Sequence, residues 1–153
     1  MTKPKFAPQI SVPATYMRGG TSKGTFFKLS DLPERCQVAG SPRDNFLLRV
    51  IGSPDPYGKQ IDGLGNGSSS TSKTVILSKA SRADHDVNYL FGQVNIAKPM
   101  IDWAGNCGNL TAAVGACAIN MGIVDADKVS SSIDVDADSG ICEVRIWQEN
   151  IGK

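Results

Sequence analysis

A cysteine between two glycine–asparagine pairs is the strongest chemical feature of this sequence. It lies in the segment 105–109, and residues 110–124 are small and apolar with no proline, which predicts a buried helix. Cys107 therefore falls at a helix N-terminus, beside backbone N–H groups that have no partner within the helix. The helix dipole at such a position favours a thiolate, and free N–H groups can bind a carboxylate. This short stretch thus offers a reactive thiol and an anion-binding site.

Packing is the alternative interpretation of this cysteine. Most cysteines of a reducing compartment are buried and inert. The glycines that flank Cys107 cannot fill a core, however, and a helix start usually lies near the surface, so a functional role is favoured. Cys117 is the contrast, because it falls in the middle of the apolar helix, between Val114 and Ile119, and is interpreted as packing.

A lysine at the end of a hydroxyl-rich loop is the second chemical feature. Residues 67–74 read Gly-Ser-Ser-Ser-Thr-Ser-Lys-Thr and approach a phosphate-binding loop. Ser72 replaces the second glycine of that motif, and the residues after Lys73 favour a strand where the motif needs a helix, so nucleotide binding is disfavoured. Partial burial would make the Lys73 amine a usable base. A surface lysine at a strand edge is an equally open interpretation.

A glycine-framed segment near the N-terminus carries further cations and hydroxyls. Residues 18–24 read Arg-Gly-Gly-Thr-Ser-Lys-Gly and are predicted to form a tight loop. The guanidinium of Arg18 matches the geometry of a carboxylate, which makes this loop a second candidate carboxylate site. Arginine and lysine side chains in loops are mostly solvated, so the segment alone is a weak indication.

The elements that must position these residues are predicted from hydrophobic periodicity. We expect strands over 10–17, 25–29, 74–78 and 87–96, helices over 43–51 and 109–122, and extended segments over 132–135 and 141–147. A long loop covers residues 52–72, and loops of that length are often functional. Several strands before one very apolar helix suggest an α+β domain with strands wrapped around the helix, rather than alternating βαβ units. Residues 1–9 are expected to be a flexible lead and residues 10–153 a domain.

Composition excludes several classes of function. The net charge of +1, with no basic cluster, disfavours nucleic acid as a partner. No apolar run is long enough to span a bilayer, and the polar N-terminus lacks the apolar core of a secretion signal. The widely spaced Cys36, Cys107, Cys117 and Cys142 fit a reducing cytoplasm. With one histidine and no Cys-x-x-Cys pair, no metal site is expected.

The motifs together resemble the PrpF family. The resemblance rests on the segments 16–24, 51–57, 69–74 and 105–109, which occur in family order, and it extends from about Pro8 to Lys153. Members of this family are 2-methylaconitate isomerases of the methylcitrate route for propionate breakdown. The resemblance implies a diaminopimelate epimerase-like fold, in which two similar α+β domains each have a curved, mostly antiparallel sheet around a central apolar helix. The active site is then expected between the domains.

The resemblance also implies roles for individual residues. Lys73 and Cys107 would be the acid/base residues of a reaction that needs no cofactor. The substrate-binding residues would be Arg18, Gly19, Ser22, Ser72, Asn106, Gly108 and Asn109. The implied substrate is an unsaturated di- or tricarboxylate, the implied location is the cytoplasm, and a functional link to a 2-methylcitrate dehydratase and a homo-oligomer are further expectations.

Length is the departure from this family. Its members are much longer, so this chain is expected to form the N-terminal domain without the second family domain, and its activity alone is in doubt. A non-catalytic carboxylate-binding or assembly module is therefore one alternative function. A thiol-nucleophile hydrolase is another, but it needs a histidine paired with Cys107. His85, the single histidine, lies in a polar turn and is interpreted as a solvated loop residue.

Overall fold

A computed structural model describes residues 9–131, 133–134 and 139–153 of the chain. The strands are β1 (Thr15–Gly19), β2 (Ser22–Lys28), β3 (Lys73–Lys79), β4 (Val87–Val94), β5 (Ile101–Asp102), β6 (Ile133–Asp134), β7 (Ser139–Gly140) and β8 (Ile146–Gln148). The α-helices are α1 (Ser41–Ile51), α2 (Gly108–Asn120) and α3 (Ala126–Ser131), and short 3-10 helices cover Leu29–Asp31 and Glu34–Cys36. The flexible lead expected at residues 1–9 lies, except for Gln9, outside the described residues.

The main sheet combines antiparallel and parallel pairs. β1 pairs antiparallel with β2, β2 pairs parallel with β3, and β3 pairs antiparallel with β4. The other edge of β4 is shared by β5, which is antiparallel, and β8, which is parallel. The parallel pair β2–β3 needs a crossover, and α1 with the long loop supplies it. The sheet is thus mostly antiparallel, as expected, but it includes a βαβ unit that the sequence analysis did not anticipate.

Helix α2 packs on one face of this sheet. Its buried residues share an apolar cluster with residues from β2, β3 and β4, and the members include Leu110, Val114, Cys117, Phe26, Val75, Leu77, Tyr89 and Phe91. Cys117 is 1% exposed, so its interpretation as a packing residue is confirmed. The prediction of a buried apolar helix after residue 107 is confirmed as well.

Helix α1 packs on the opposite face of the sheet. The second apolar cluster contains Leu47, Leu48, Ile51, Phe27, Ile76, Val94 and Ile101. Neighbouring residues of a strand point to opposite faces, so Phe26 packs toward α2 and Phe27 toward α1. A sheet that is covered on both faces explains why β3 is continuously buried from Lys73 to Leu77.

The tight loop predicted over residues 18–24 is wrong in its extent. Strands β1 and β2 run through most of it, and Arg18 lies opposite Lys23 in the antiparallel ladder. Only Gly20 and Thr21 lie outside the strands, and Gly20 has the positive φ of 51° that suits such a turn. Polar and glycine residues indicated a loop, but the ladder satisfies the backbone groups of this segment. The result is a β-hairpin.

The ends of the chain also differ from the sequence prediction. The strand expected over 10–17 begins only at Thr15, two residues after Pro13, whose nitrogen cannot donate to a ladder. Of the segment expected over 132–135, residues 133–134 form β6 and the remaining residues lie outside the described part of the chain. Within the segment 141–147, only Ile146 and Trp147 belong to a strand.

Two kinds of feature are absent from the described residues. No helix among them is long and apolar enough to cross a bilayer. Their histidine, cysteine, aspartate and glutamate side chains form no group of three or more that could hold a metal ion.

Candidate active site

Cys107 is the residue immediately before helix α2, as the sequence predicts. Its backbone is extended (φ −125°, ψ 92°), and its carbonyl accepts the N–H of Thr111 at 3.2 Å. No side chain caps the helix start. The N–H groups of Gly108 and Asn109, both exposed residues, have no partner within the helix. Cys107 is 8% exposed, and it lies beside a helix N-terminus whose first residues, Gly108 and Asn109, are exposed.

The hairpin between β1 and β2 packs directly on this helix start. The thiol of Cys107 donates to the Ser22 hydroxyl over 3.8 Å, and the amide nitrogen of Asn109 donates to the Thr21 hydroxyl over 3.1 Å. A Cβ atom on Gly19 would collide with the carbonyl oxygen of Asn109 and lie 2.8 Å from the Cα of Leu110. Glycine at position 19 therefore allows the close approach that brings Ser22 to the sulfur.

Lys73 is buried rather than solvated. It is 8% exposed at the start of β3, which agrees with the partly desolvated lysine of the sequence analysis rather than with a surface lysine. Its ammonium donates to the Oε1 of Gln93 over 2.6 Å and lies 4.9 Å from the centroid of the Phe91 ring. The ammonium thus has a neutral hydrogen-bond acceptor and an aromatic face as its neighbours.

Lys73 and Cys107 lie on the same face of the sheet. Lys73 is two residues before Val75, which packs against α2, so its side chain shares that face. Gly24 lies next to both the lysine and the helix. A Cβ atom at this position would lie 3.0 Å from Leu110 Cδ1 and 3.6 Å from Lys73 Cβ. The structure therefore brings Lys73, Cys107 and Ser22 to one region at the N-terminal end of α2.

The long loop 52–72 is fastened by a buried glutamine. Gln60 is 1% exposed, and its side-chain nitrogen donates to the hydroxyls of Ser53 (2.8 Å) and Ser72 (2.7 Å) while its oxygen accepts the N–H of Gly67 at 3.0 Å. The Ser72 hydroxyl in turn donates to the carbonyl of Val94 over 2.7 Å. Ser72 thus holds the loop beside Lys73, and its proposed contact with substrate stays a prediction.

Arg18 is not brought together with Lys73 and Cys107. Met17 packs toward α2, so the alternation of the strand directs Arg18 to the other face, together with Lys23. Arg18 is exposed and has no hydrogen bond or ion pair among the described residues. Its role in binding a carboxylate stays a prediction, as does that of the exposed Asn106.

Tyr89 contacts the start of α2 through a hydrogen bond, and the sequence analysis does not identify it as a site residue. Its hydroxyl donates to the carbonyl of Cys107 over 3.2 Å. Burial, and to a smaller extent the neighbouring Cys107, raises the pKa of Tyr89 well above its usual range. The phenol therefore stays protonated and remains a donor. Cys117, deeper in the same helix, has a pKa raised to about 11 by burial.

His85 is less solvated than its polar neighbours suggested. Its side chain is 20% exposed, its Nδ1 lies 2.8 Å from Asp84 Oδ1, and its ring stands edge-on to Trp147 with centroids 5.2 Å apart. Among the described residues, His85 makes no hydrogen bond to Cys107. The histidine that a thiol-nucleophile hydrolase needs is therefore not supplied by these residues.

Comparison with known proteins gives concordant matches. The family described as "PrpF protein" matches residues 9–153. A protein of Shewanella oneidensis named "2-methyl-aconitate isomerase" is 65% identical over 153 residues, which are 100% of this chain and 37% of the relative. A protein of Cupriavidus necator with the same name is 65% identical over 146 residues, 95% of this chain and 35% of the relative. The chain thus spans just over a third of the length of these relatives.

A solved structure agrees with the fold. The crystal structure of methylitaconate-delta-isomerase superposes with a TM-score of 0.75 and 39% sequence identity, and the match covers 93% of this chain and 32% of that one. The diaminopimelate epimerase-like fold expected from the sequence is therefore confirmed.

Proposed function

This chain belongs to the PrpF family, and we propose that it supplies Lys73 and Cys107 to a cofactor-independent isomerase of 2-methylaconitate or a related unsaturated tricarboxylate. One observation carries the proposal. A lysine and a cysteine, each 8% exposed, lie on one face of the sheet beside an uncapped helix N-terminus. An acid/base pair next to a carboxylate site is what a proton-shifting isomerase of carboxylates needs.

The reaction moves one proton and one double bond. A base removes a proton from a saturated carbon next to a C=C bond that is itself conjugated with a carboxylate, and the electron pair delocalises into a dienolate. The former double bond gains single-bond character, so rotation about it becomes possible. A proton delivered at a carbon of the dienolate then gives the other alkene isomer. Atoms and charge balance without an oxidant or a reductant.

The difficult step is the deprotonation, because a carbon near an ionised carboxylate is a weak acid. Charge that accumulates on the carboxylate in the transition state can be stabilised by preorganised donors. The N–H groups of Gly108 and Asn109 are such donors at the start of α2. Lys73 and Cys107 then exchange the proton with the substrate, and either residue can act as the base. Ser22, within 3.8 Å of the sulfur, orients the thiol.

The cellular setting forms a further part of the proposal. Dehydration of 2-methylcitrate yields 2-methylaconitate, so a 2-methylcitrate dehydratase is the functional partner in the methylcitrate route of propionate breakdown. The cytoplasm is the proposed location, and a homo-oligomer is the proposed assembly. The relatives named 2-methyl-aconitate isomerase and the PrpF match support the substrate from which this setting is inferred.

A non-catalytic carboxylate-binding or assembly module is the second candidate function. It concerns the 153-residue chain by itself, which matches 37% of the Shewanella relative. A cleft enzyme needs both walls to exclude water and to fix the substrate. We therefore expect the 153-residue chain by itself to bind carboxylates at most, without isomerase turnover.

A hybrid protein tests both functions. In the hybrid, this chain replaces the matching part of the Shewanella protein, and turnover of 2-methylaconitate isomers is followed by proton NMR. The proposal expects turnover by the hybrid and none by the 153-residue chain, assayed beside it with sedimentation analysis. A folded hybrid without turnover would contradict the isomerase proposal. Turnover by a strictly monomeric 153-residue chain would contradict the argument for a second wall.

A further inference from the structure

Among the described residues, the Lys73 ammonium donates a side-chain hydrogen bond to Gln93. Gln93 lies on β4 directly opposite Lys73 on β3, and its Oε1 accepts from the ammonium at 2.6 Å. We propose that Gln93 is a positioning residue that fixes the direction of the Lys73 ammonium and presents it with a neutral acceptor. The inference rests on the proposed function, because it assumes that Lys73 is one of the residues that exchange the proton.

The orientation of the Gln93 amide is determined by its other end. Its Nε2 donates to the carbonyl of Ser72 over 2.8 Å and to the carbonyl of Ser69 over 3.2 Å. Both partners are acceptors, so a flipped amide would place an oxygen against two carbonyl oxygens. The unflipped orientation directs Oε1 at Lys73. The hydroxyl-rich loop thus acts on the lysine through this glutamine, although its own hydroxyls do not contact the ammonium.

The neutrality of the acceptor has a chemical consequence. A carboxylate at the position of Oε1 would stabilise the ammonium strongly and hold the proton on the lysine. An apolar group there would leave a nearly buried charge without a hydrogen-bond partner, which disfavours the ammonium. A carboxamide satisfies the ammonium without adding charge. The lysine can then give up and regain its proton during a catalytic cycle.

The test uses the hybrid protein with Gln93→Glu and Gln93→Met. Two kinds of measurement are made from neutral to alkaline pH. The first is the kcat and KM of isomerisation. The second is the rate at which trace acetic anhydride acylates Lys73, followed by peptide mass spectrometry, which reports the free amine without requiring activity. Circular dichroism confirms that each variant is folded, and Gln93→Met decides alone if the glutamate variant does not fold.

Gln37→Glu is the matched control. The Gln37 amide also donates to two backbone carbonyls, those of Ser30 (3.3 Å) and Leu32 (2.9 Å), but it makes no hydrogen bond to a lysine. The control therefore repeats the loss of two amide donors and the gain of a carboxylate away from Lys73. It is expected to leave both pH profiles in place.

The expected results differ in direction between the two variants. Gln93→Glu shifts the midpoint of Lys73 acylation, and the limb of the kcat profile that depends on Lys73, upward by at least about one pH unit. Gln93→Met shifts the acylation midpoint downward and lowers kcat about tenfold or more with little change in KM, because the amine is no longer directed.

The outcomes separate this inference from the proposed function. Acylation midpoints that stay where they are in both variants overturn the role of Gln93, whether or not the hybrid is active. If the acylation midpoints shift but kcat is unchanged in an active hybrid, the proposal that Gln93 positions Lys73 for catalysis is overturned. A hybrid that is inactive with Gln93 intact contradicts the isomerase proposal, and the acylation midpoints then still decide whether Gln93 controls Lys73.

Discussion

The sulfur of Cys107 lies 3.8 Å from the hydroxyl oxygen of Ser22, although 85 residues separate them in the sequence. One partner is the first residue of β2, and the other precedes the first residue of α2. The environment of the thiol is therefore formed in part by a hairpin that lies far before the helix in the sequence. Any change that moves the hairpin away from the helix start should change the chemistry of Cys107.

Substitution of the acid/base residues is expected to abolish most of the turnover. In the hybrid protein, Lys73→Ala and Cys107→Ala should each lower kcat by at least about a hundredfold, the usual scale of general acid–base catalysis. Cys142→Ala, which removes a partly exposed cysteine, should keep activity near the parent value. Proton NMR of the alkene isomers measures the rates. Full activity of either alanine variant would remove that residue from the mechanism.

The four cysteines should differ in their reactivity toward iodoacetamide in the folded chain. We expect Cys107 to be alkylated fastest at neutral pH, because it lies at a helix N-terminus. Cys117, whose pKa is raised to about 11 by burial, should react at least about ten times more slowly. Peptide mass spectrometry resolves the sites, and a saturating tricarboxylate should protect Cys107 selectively. Faster labelling of Cys117 or Cys142 would contradict this order.

Two glycines that differ in their surroundings should respond oppositely to alanine. Gly19→Ala places a Cβ against the backbone of Asn109 and should destabilise the fold by about 1–3 kcal/mol. Gly115→Ala, in the middle of α2, finds ordinary contacts of 3.6–3.7 Å with Val144 and should stabilise the helix by up to about 1 kcal/mol. Urea denaturation measures both changes. Equal stability of Gly19→Ala and the parent would refute the close approach.

The ion pairs of the Asp86 carboxylate should make the stability of the fold depend on pH in the acidic range. The Asp86 carboxylate accepts hydrogen bonds from Arg145 and Lys128. These hydrogen bonds, of which the one from Arg145 contributes most, hold the pKa of Asp86 well below its usual range. A carboxyl whose pKa is lower in the folded than in the unfolded chain stabilises the fold above about pH 4, and that contribution is lost as the pH falls further.

Asp86→Asn is therefore expected to cost about 1–3 kcal/mol near neutral pH, with a difference from the parent that shrinks below about pH 4. Thermal or urea unfolding at several pH values provides the measurement. Asp62→Asn, at an exposed loop residue, serves as the control and should change stability by less than about 0.5 kcal/mol. A constant difference between the Asp86 variant and the parent at all pH values would contradict the linkage.

The parts of the fold with a clear period were predictable from the sequence. The helix at 43–51, the strand at 74–78 and the buried helix after residue 107 appear where periodicity places them, because apolar side chains at regular spacing determine which face is buried. The glycines and polar residues of the segment 18–24 predict a loop, whereas the structure has a hairpin that packs closely against the start of α2. Tertiary contacts decided that segment.

The candidate site was predictable in its chemistry and less so in its supports. Lys73 and Cys107 could be found from their local sequence. Gln93 and Gln60 carry no local signal, because their partners lie 20 and 12 residues away in the pairs Lys73–Gln93 and Gln60–Ser72 and are met only after the strands have paired. The face to which Arg18 points follows from the register of β1. A loop prediction for this segment gives no such register, so the direction of the side chain could not be predicted.

The distance in sequence between Ser22 and Cys107 has a consequence for folding kinetics. Contacts that close long loops form late, because the entropy of closure must be offset before they contribute. The hairpin needs only residues up to Lys28, whereas its contact with the thiol also needs the first turn of α2, which follows β3 and β4 in the chain. In an incompletely folded chain, Cys107 lacks both the ordered helix end and the hairpin. The environment of this thiol then forms late in folding, and labelling during refolding would date the contact between the hairpin and the helix start.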